Sequence, residues 1–330
     1  MRAASIAIMC TIAPFALSGC PGTPGAAPEI PPADHAAPTA GWPRTFTDDL
    51  GAEVTLHEPP TRVVSLAPGF TETLFAIGAG DRVVGRTDFC DEPPAAVDVE
   101  SVGGLVTPSI EKIVSLEPDL VLVIRGTPAD VIDALRRAGL PVIARDTDTL
   151  SEALAGIRDV GRYLGMESEA DALADALEAR RDAVAQRTEE LFAARARPEV
   201  LVLVSIDPIF AAGDASLAGD IIAIAGGENA AGGPALADAG PWPQLGLEAI
   251  VDRDPDVIVL AWEHHQASEA LSAEELAQTP GWRELSAVQR GEVSEIDPDL
   301  LSRSGPRLLD GLEQLAGFIG AWAREDDGDA

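Results

Sequence analysis

The sequence predicts an α/β fold: two lobes, each a mainly parallel sheet flanked by helices, joined by one long α-helix. Three observations carry this expectation. Short β-branched runs alternate with amphipathic helical stretches, the pattern of a parallel sheet covered by helices. The alternation restarts in the second half of the chain. Between the halves, residues 167–195 contain no Pro or Gly and are dominated by Ala, Leu, Glu and Arg, all good helix formers. A helix of that length reaches roughly 40 Å, too long for one more crossover in a small sheet. Ser168, with Asp171 three residues on, resembles a capping box at its start.

The N-terminus reads as an export signal over residues 1–19. Arg2 supplies positive charge, and residues 3–17 are mostly apolar, though interrupted by Cys10 and Pro14. This stretch is too short to cross a bilayer of roughly 30 Å. Leu17-Ser18-Gly19-Cys20 resembles a bacterial lipobox, which makes Cys20 the candidate lipid attachment. Residues 20–44 read as a tether, because the Pro-, Ala- and Gly-rich stretch 21–43 has almost no large apolar residues to bury. No later stretch approaches the roughly 18 apolar residues of a membrane span.

A first lobe is expected over residues 45–150. It opens with a hairpin at 45–56 around Asp49-Leu50-Gly51. Strands follow at 62–66, 82–85, 120–124 and 141–144, separated by helices such as 71–77, 110–116 and 129–138. Connecting helices occupy 151–196. The second lobe, 197–324, repeats the alternation with strands at 200–204, 256–260 and 292–296, and residues 325–330 form an acidic tail. An internal echo links the lobes. Leu116-Glu117-Pro118-Asp119-Leu120-Val121 recurs as Arg253-Asp254-Pro255-Asp256-Val257-Ile258. Each copy has a helix ahead of it, Ile110-Glu111-Lys112-Ile113 and Leu247-Glu248-Ala249-Ile250.

Composition narrows the function. The chain has 330 residues, 46% hydrophobic and 24% charged, which excludes a wholly disordered protein. A formal charge of −32 repels phosphates, so nucleic acid and anionic lipid headgroups are poor partners. Cys90 is the lone cysteine beyond the first twenty residues, so no disulfide staples the body. No nucleophile elbow, phosphate-binding loop, dinucleotide fingerprint or zinc-protease motif is present, and the four histidines are a poor inventory for a hydrolase. No catalytic residue and no cofactor is expected.

The remaining constellation suits ligand capture. Aromatic residues are only 4% of the chain, yet several stand where strands give way to loops, the edge at which open α/β sheets bind ligands. Phe70, Phe89, Phe210 and Trp262 follow predicted strands, and Trp242 lies in a Pro-rich loop. Such rings from two lobes suit a flat, amphipathic molecule. His264 and His265, beside Trp262, are candidate hydrogen-bond donors or metal ligands, and Cys90 is a candidate thiolate or a small buried residue.

Several segments together resemble the iron-siderophore/vitamin B12 substrate-binding proteins of ABC importers. These are Phe46-Thr47-Asp48-Asp49-Leu50-Gly51, Pro60-Thr61-Arg62-Val63-Val64-Ser65-Leu66 and Thr71-Glu72-Thr73-Leu74-Phe75-Ala76-Ile77-Gly78. Later come Ala225-Gly226-Gly227-Glu228-Asn229 and Gly305-Pro306-Arg307-Leu308. The resemblance implies two α/β lobes with a backbone helix and no catalysis. It implies a monomer that catches a small metal-complex ligand in its cleft and delivers it to a membrane permease with its ATPase subunits. It also implies that Glu72 and Glu248, one per lobe, dock on permease arginines. Thr87-Asp88-Phe89-Cys90-Asp91 with Pro93 resembles the Cys-Asp-x-Pro element of the vitamin B12-type branch, which favours a corrinoid. The alternatives are a ferric siderophore, for which Arg125 and Arg303 are candidate contacts, haem, or a metal-complex sensor. The haem branch commonly offers tyrosine, and the single Tyr163 lies in a helical stretch.

Overall fold

The computed structural model describes residues 41–262 and 271–326. Cys20, the export signal, most of the tether, His264 and His265 lie outside the described residues.

An antiparallel hairpin comes first, β1 (Arg44–Thr47) with β2 (Glu53–Leu56). Its turn is clamped to the first lobe: Asp49 N–H donates to Ala144 O at 3.0 Å, and the Asp48 carboxylate pairs with Arg136. The first lobe follows as β3 (Val63–Ser65), α1 (Pro68–Ala76), β4 (Val83–Arg86), α2 (Ile110–Ser115), β5 (Leu120–Ile124), α3 (Ala129–Arg137) and β6 (Val142–Arg145). Its four strands are all parallel, in the order β4-β3-β5-β6.

Two helices then connect the lobes, α4 (Leu150–Leu164) and α5 (Glu167–Leu191). The second lobe comprises β7 (Glu199–Ile206), β8 (Ile209–Ala211), α6 (Leu217–Ile224), β9 (Glu228–Asn229), α7 (Leu247–Arg253) and β10 (Val257–Leu260). It continues through α8 (Ala273–Leu276), α9 (Ser286–Arg290), β11 (Val293–Glu295), α10 (Asp299–Ser302) and α11 (Leu308–Asp326). Strands β9, β7, β10 and β11 are neighbours in parallel, matching the first lobe strand for strand. Antiparallel β8 extends β7 into a second hairpin.

Strand alternation sorts the core into layers. Val63, Leu120, Leu122 and Ile143 face one side of the first sheet, and Val200, Val202, Val257 and Val259 one side of the second. Both faces belong to a single apolar cluster that runs through α4, α5 and α11. Val64, Val121 and Val123 pack outward under α3, and Leu201, Leu203 and Ile258 pack outward under α7 and α9. The lobes therefore share a core. Truncating a central residue such as Leu122 to alanine costs about 2–5 kcal/mol.

The internal echo is a structural repeat with an offset of 137 residues (Ile110 to Leu247). Glu117 and Asp254 occupy the same left-handed conformation, at φ 47° and 46°. Asp119 accepts backbone N–H groups from Thr61 and Arg62 at 2.8 and 2.9 Å. Its counterpart Asp256 accepts that of Glu199, the residue equivalent to Arg62, at 3.0 Å.

Two expectations need correction. Ser168 caps nothing: the long helix starts at Glu167 with Met166 as its N-cap, because Gly165 ends α4 in the left-handed region and only Gly165 and Met166 separate the helices. The side-chain capping box belongs instead to α4, between Thr149 and Glu152. The tether also ends earlier than position 44. Trp42 is buried in the shared core, and the Arg44 guanidinium lies 4.6 Å from its ring centroid.

Candidate functional site

A cavity of about 450 Å³ opens at the carboxyl edge of the second sheet. Val202 and Val204 of β7, with Ala261 and Trp262 directly after β10, form its floor. Trp242, Asp299 and Ser302 also line it. The Trp242 loop is pinned to β8 and the residues after it, since Ala211 and Gly213 N–H donate to the carbonyls of Pro243 and Pro241 at 3.2 and 2.9 Å. Asp299 is the single ionisable side chain among the described lining residues. Burial raises its pKa, and Arg303, 2.6 Å away, opposes that rise.

The structure sorts the aromatic candidates. Trp242, 39% exposed, and Trp262, 7% exposed, share this one cavity. Trp262 continues the line of β10 rather than sitting in an open loop, so it also packs in the outer core of the second lobe. Its indole N–H is buried and finds no acceptor among the described residues. Phe70 is a core residue instead: Pro68 starts α1 three residues earlier than the sequence indicated, which turns Phe70 inward. Phe89 is exposed on the loop after β4, and Phe210 is half-buried in β8. Neither lines the cavity. Cys90 is fully buried with its Sγ 3.2 Å from Thr87 Oγ1, the packed position of a small core residue. Tyr163 is also buried, edge-on to Phe46 at 4.8 Å. Among the described residues no three His, Cys, Asp or Glu side chains converge on a metal position.

The lobes meet beside this cavity. Helix α1 runs so close to the segment 304–305 that a Cβ on Gly69 would lie 2.7 Å from the Ser304 backbone. Glu72 is trapped there at 5% exposure, with neither carboxylate oxygen hydrogen-bonded and Arg307 Nη1 3.7 Å away. Burial pushes its carboxyl up to about 7, against the pull of Arg307 and Arg303 and with help from Asp299 and Glu92. The expectation of an outward-facing docking carboxylate at Glu72 is thus corrected. By the 137-residue repeat, the counterpart of exposed Glu248 is Glu111, also exposed, and each is the second residue of its helix.

The arginine candidates are committed to carboxylates. Arg303 bridges the lobes to Asp91 at 2.5 Å while holding Asp299. Arg125 pairs with Asp146 and Asp148, and Arg307 with Glu72 and Asp297. The sequence reading missed Asp299 and Ser302, although Asp297-Pro298-Asp299 follows a predicted strand at the binding edge.

Two repeated lobes on a connecting helix, with a cavity at the carboxyl edge of the second sheet, form the architecture of a solute-binding protein. Residues 63–300 match the family model of the periplasmic binding proteins. The chain belongs to that family. It is 34% identical over 286 residues to YvrC of Bacillus subtilis (strain 168), an ABC transporter substrate-binding lipoprotein, covering 85% of this chain and 87% of that one. It is 30% identical over 270 residues to a vitamin B12-binding protein of Vibrio cholerae, covering 79% and 90%. The solved periplasmic vitamin B12-binding protein BtuF of Vibrio cholerae superposes with a TM-score of 0.68 at 28% identity, over 80% of this chain and 98% of that one. A periplasmic haem-binding protein, BhuT, holding two haems superposes at 0.71 with 25% identity, over 79% and 98%. Periplasmic binding proteins are exported, non-enzymatic transport components. This chain is accordingly the substrate-binding part of an ABC transporter, with a small ligand and a permease partner.

Proposed function

We propose that the protein captures a corrinoid in the cleft between its lobes and hands it to a membrane permease powered by ATPase subunits. The observation that carries this reading is the pairing of Trp242 and Trp262 in one apolar cavity at the carboxyl edge. Two indoles there offer stacking and apolar burial to a flat ring system. The relatives named as vitamin B12-binding proteins support the corrinoid, as does the Cys90-Asp91 element followed by Pro93. Burial of Tyr163 argues against tyrosine ligation of haem.

Delivery runs through Glu111 and Glu248. Both are exposed carboxylates in the first turn of equivalent helices, one per lobe, and suit a partner that offers two cationic pockets. The protein acts as a monomer tethered by lipid on Cys20, a reading supported by the lipobox and by the lipoprotein YvrC. The test is to purify the protein from its host and record the absorption of whatever co-purifies. A corrin spectrum is expected, and a haem or ferric-siderophore spectrum would replace this reading.

A further inference from the structure

We infer that the cleft discriminates by charge: it takes flat complexes whose rim is uncharged and rich in carbonyl-type acceptors, and it excludes those that carry carboxylates. The inference deepens the proposed function and rests on reading this cavity as the ligand cleft.

Three features of the site point the same way. Asp299 places a carboxylate in the wall, and no Lys or Arg stands among the described lining residues. The arginine that holds the wall carboxylate is already spent. Arg303 pairs with Asp299 and also with Asp91, so it and its two partners together are net negative. A carboxylate on the rim of the ligand would have to break an existing pair or stay uncompensated, and an uncompensated charge in a partly buried site is costly. The formal charge of −32 adds long-range repulsion.

The third feature concerns attraction. The Trp262 indole N–H is buried, belongs to a lining residue and has no acceptor among the described residues. A buried donor of this kind is satisfied by a neutral acceptor on the ligand. Amide carbonyls meet that need and leave the Asp299 carboxylate unopposed, and amide N–H groups donate to it. Charge and hydrogen-bond demand thus select one class of rim.

The test separates charge from ring shape. The wild-type protein is titrated with three probes: cyanocobalamin, a metalloporphyrin bearing two propionates, and the dimethyl ester of that metalloporphyrin. At a pH of about 8 the carboxylates of the diacid are ionised. The ester should bind roughly tenfold or more tighter than the diacid, the expected scale for one repulsive charge pair near a protein surface. Asp299→Asn should narrow that gap by raising the affinity of the diacid toward that of the ester. A diacid that binds as tightly as its ester overturns the charge rule and leaves the cleft itself intact. Failure of all three probes overturns both the rule and the proposed function.

Discussion

Glu72 of the first lobe and Arg307 of the second face each other across the lobe boundary, 3.7 Å apart, with no hydrogen bond to the buried carboxylate. The pair is too long to compensate the lost hydration of Glu72, so its pKa rises to about 7. Folding therefore favours the protonated form.

The sign of the pH dependence follows. A carboxyl with a raised folded-state pKa is neutral in both states at low pH. Stability is lost as pH climbs from the unfolded value of 4.5 to about 7, where the folded form finally ionises. The full effect is on the order of 3 kcal/mol. Glu72→Gln should remove it, so the variant gains on wild type between about pH 5 and 8 in denaturant unfolding. A constant difference across that range would show that Glu72 ionises freely.

The two tryptophans should respond differently to truncation. Trp242→Ala, at an exposed wall, should cost about 2 kcal/mol of ligand binding, near thirtyfold, with little change in melting temperature. Trp262→Ala should cost binding and also roughly 3–5 kcal/mol of stability, because the ring is part of the outer core. Calorimetric unfolding beside ligand titration separates the two, and equal losses of stability would contradict the assignment.

Docking should depend on Glu111 with Glu248. The double change Glu111→Arg and Glu248→Arg should abolish uptake in cells yet leave ligand affinity unchanged, since both side chains are exposed on α2 and α7. Glu72→Gln should leave uptake close to wild type. Uptake that survives the double reversal would refute the docking face.

Anchoring turns on Cys20. The native protein should partition with membranes, held by buried alkyl chains at about 0.8 kcal/mol per CH₂. Cys20→Ala should remain unprocessed or appear in the soluble fraction. A wild-type protein found wholly in the soluble fraction would end the lipid-anchor proposal.

Much of the fold was legible because burial is written as period. Val63 and Val64 alternate between two cores, and so do Val200 and Leu201, which is what β-branched runs between helices encode. The repeat was legible for a similar reason, since Pro-Asp must end a helix and feed a strand at Asp119 and at Asp256. The site was less legible. Its cavity is closed by contacts between residues far apart in sequence, and local pattern carries no trace of them. Arg303 reads as a free cation until Asp91 is seen beside it, and Glu72 reads as exposed until Gly69 brings α1 against Ser304. Phe70 was misplaced by a helix start three residues off, a small shift that moves a ring from the cleft edge to the core.

Capture of a corrinoid in the Trp242–Trp262 cleft is measured by isothermal titration of the purified, ligand-free protein with cyanocobalamin. Saturable one-to-one binding that weakens markedly in Trp242→Ala is expected. No binding of cyanocobalamin, with saturable binding of haem or a ferric siderophore in the same preparation, would contradict it.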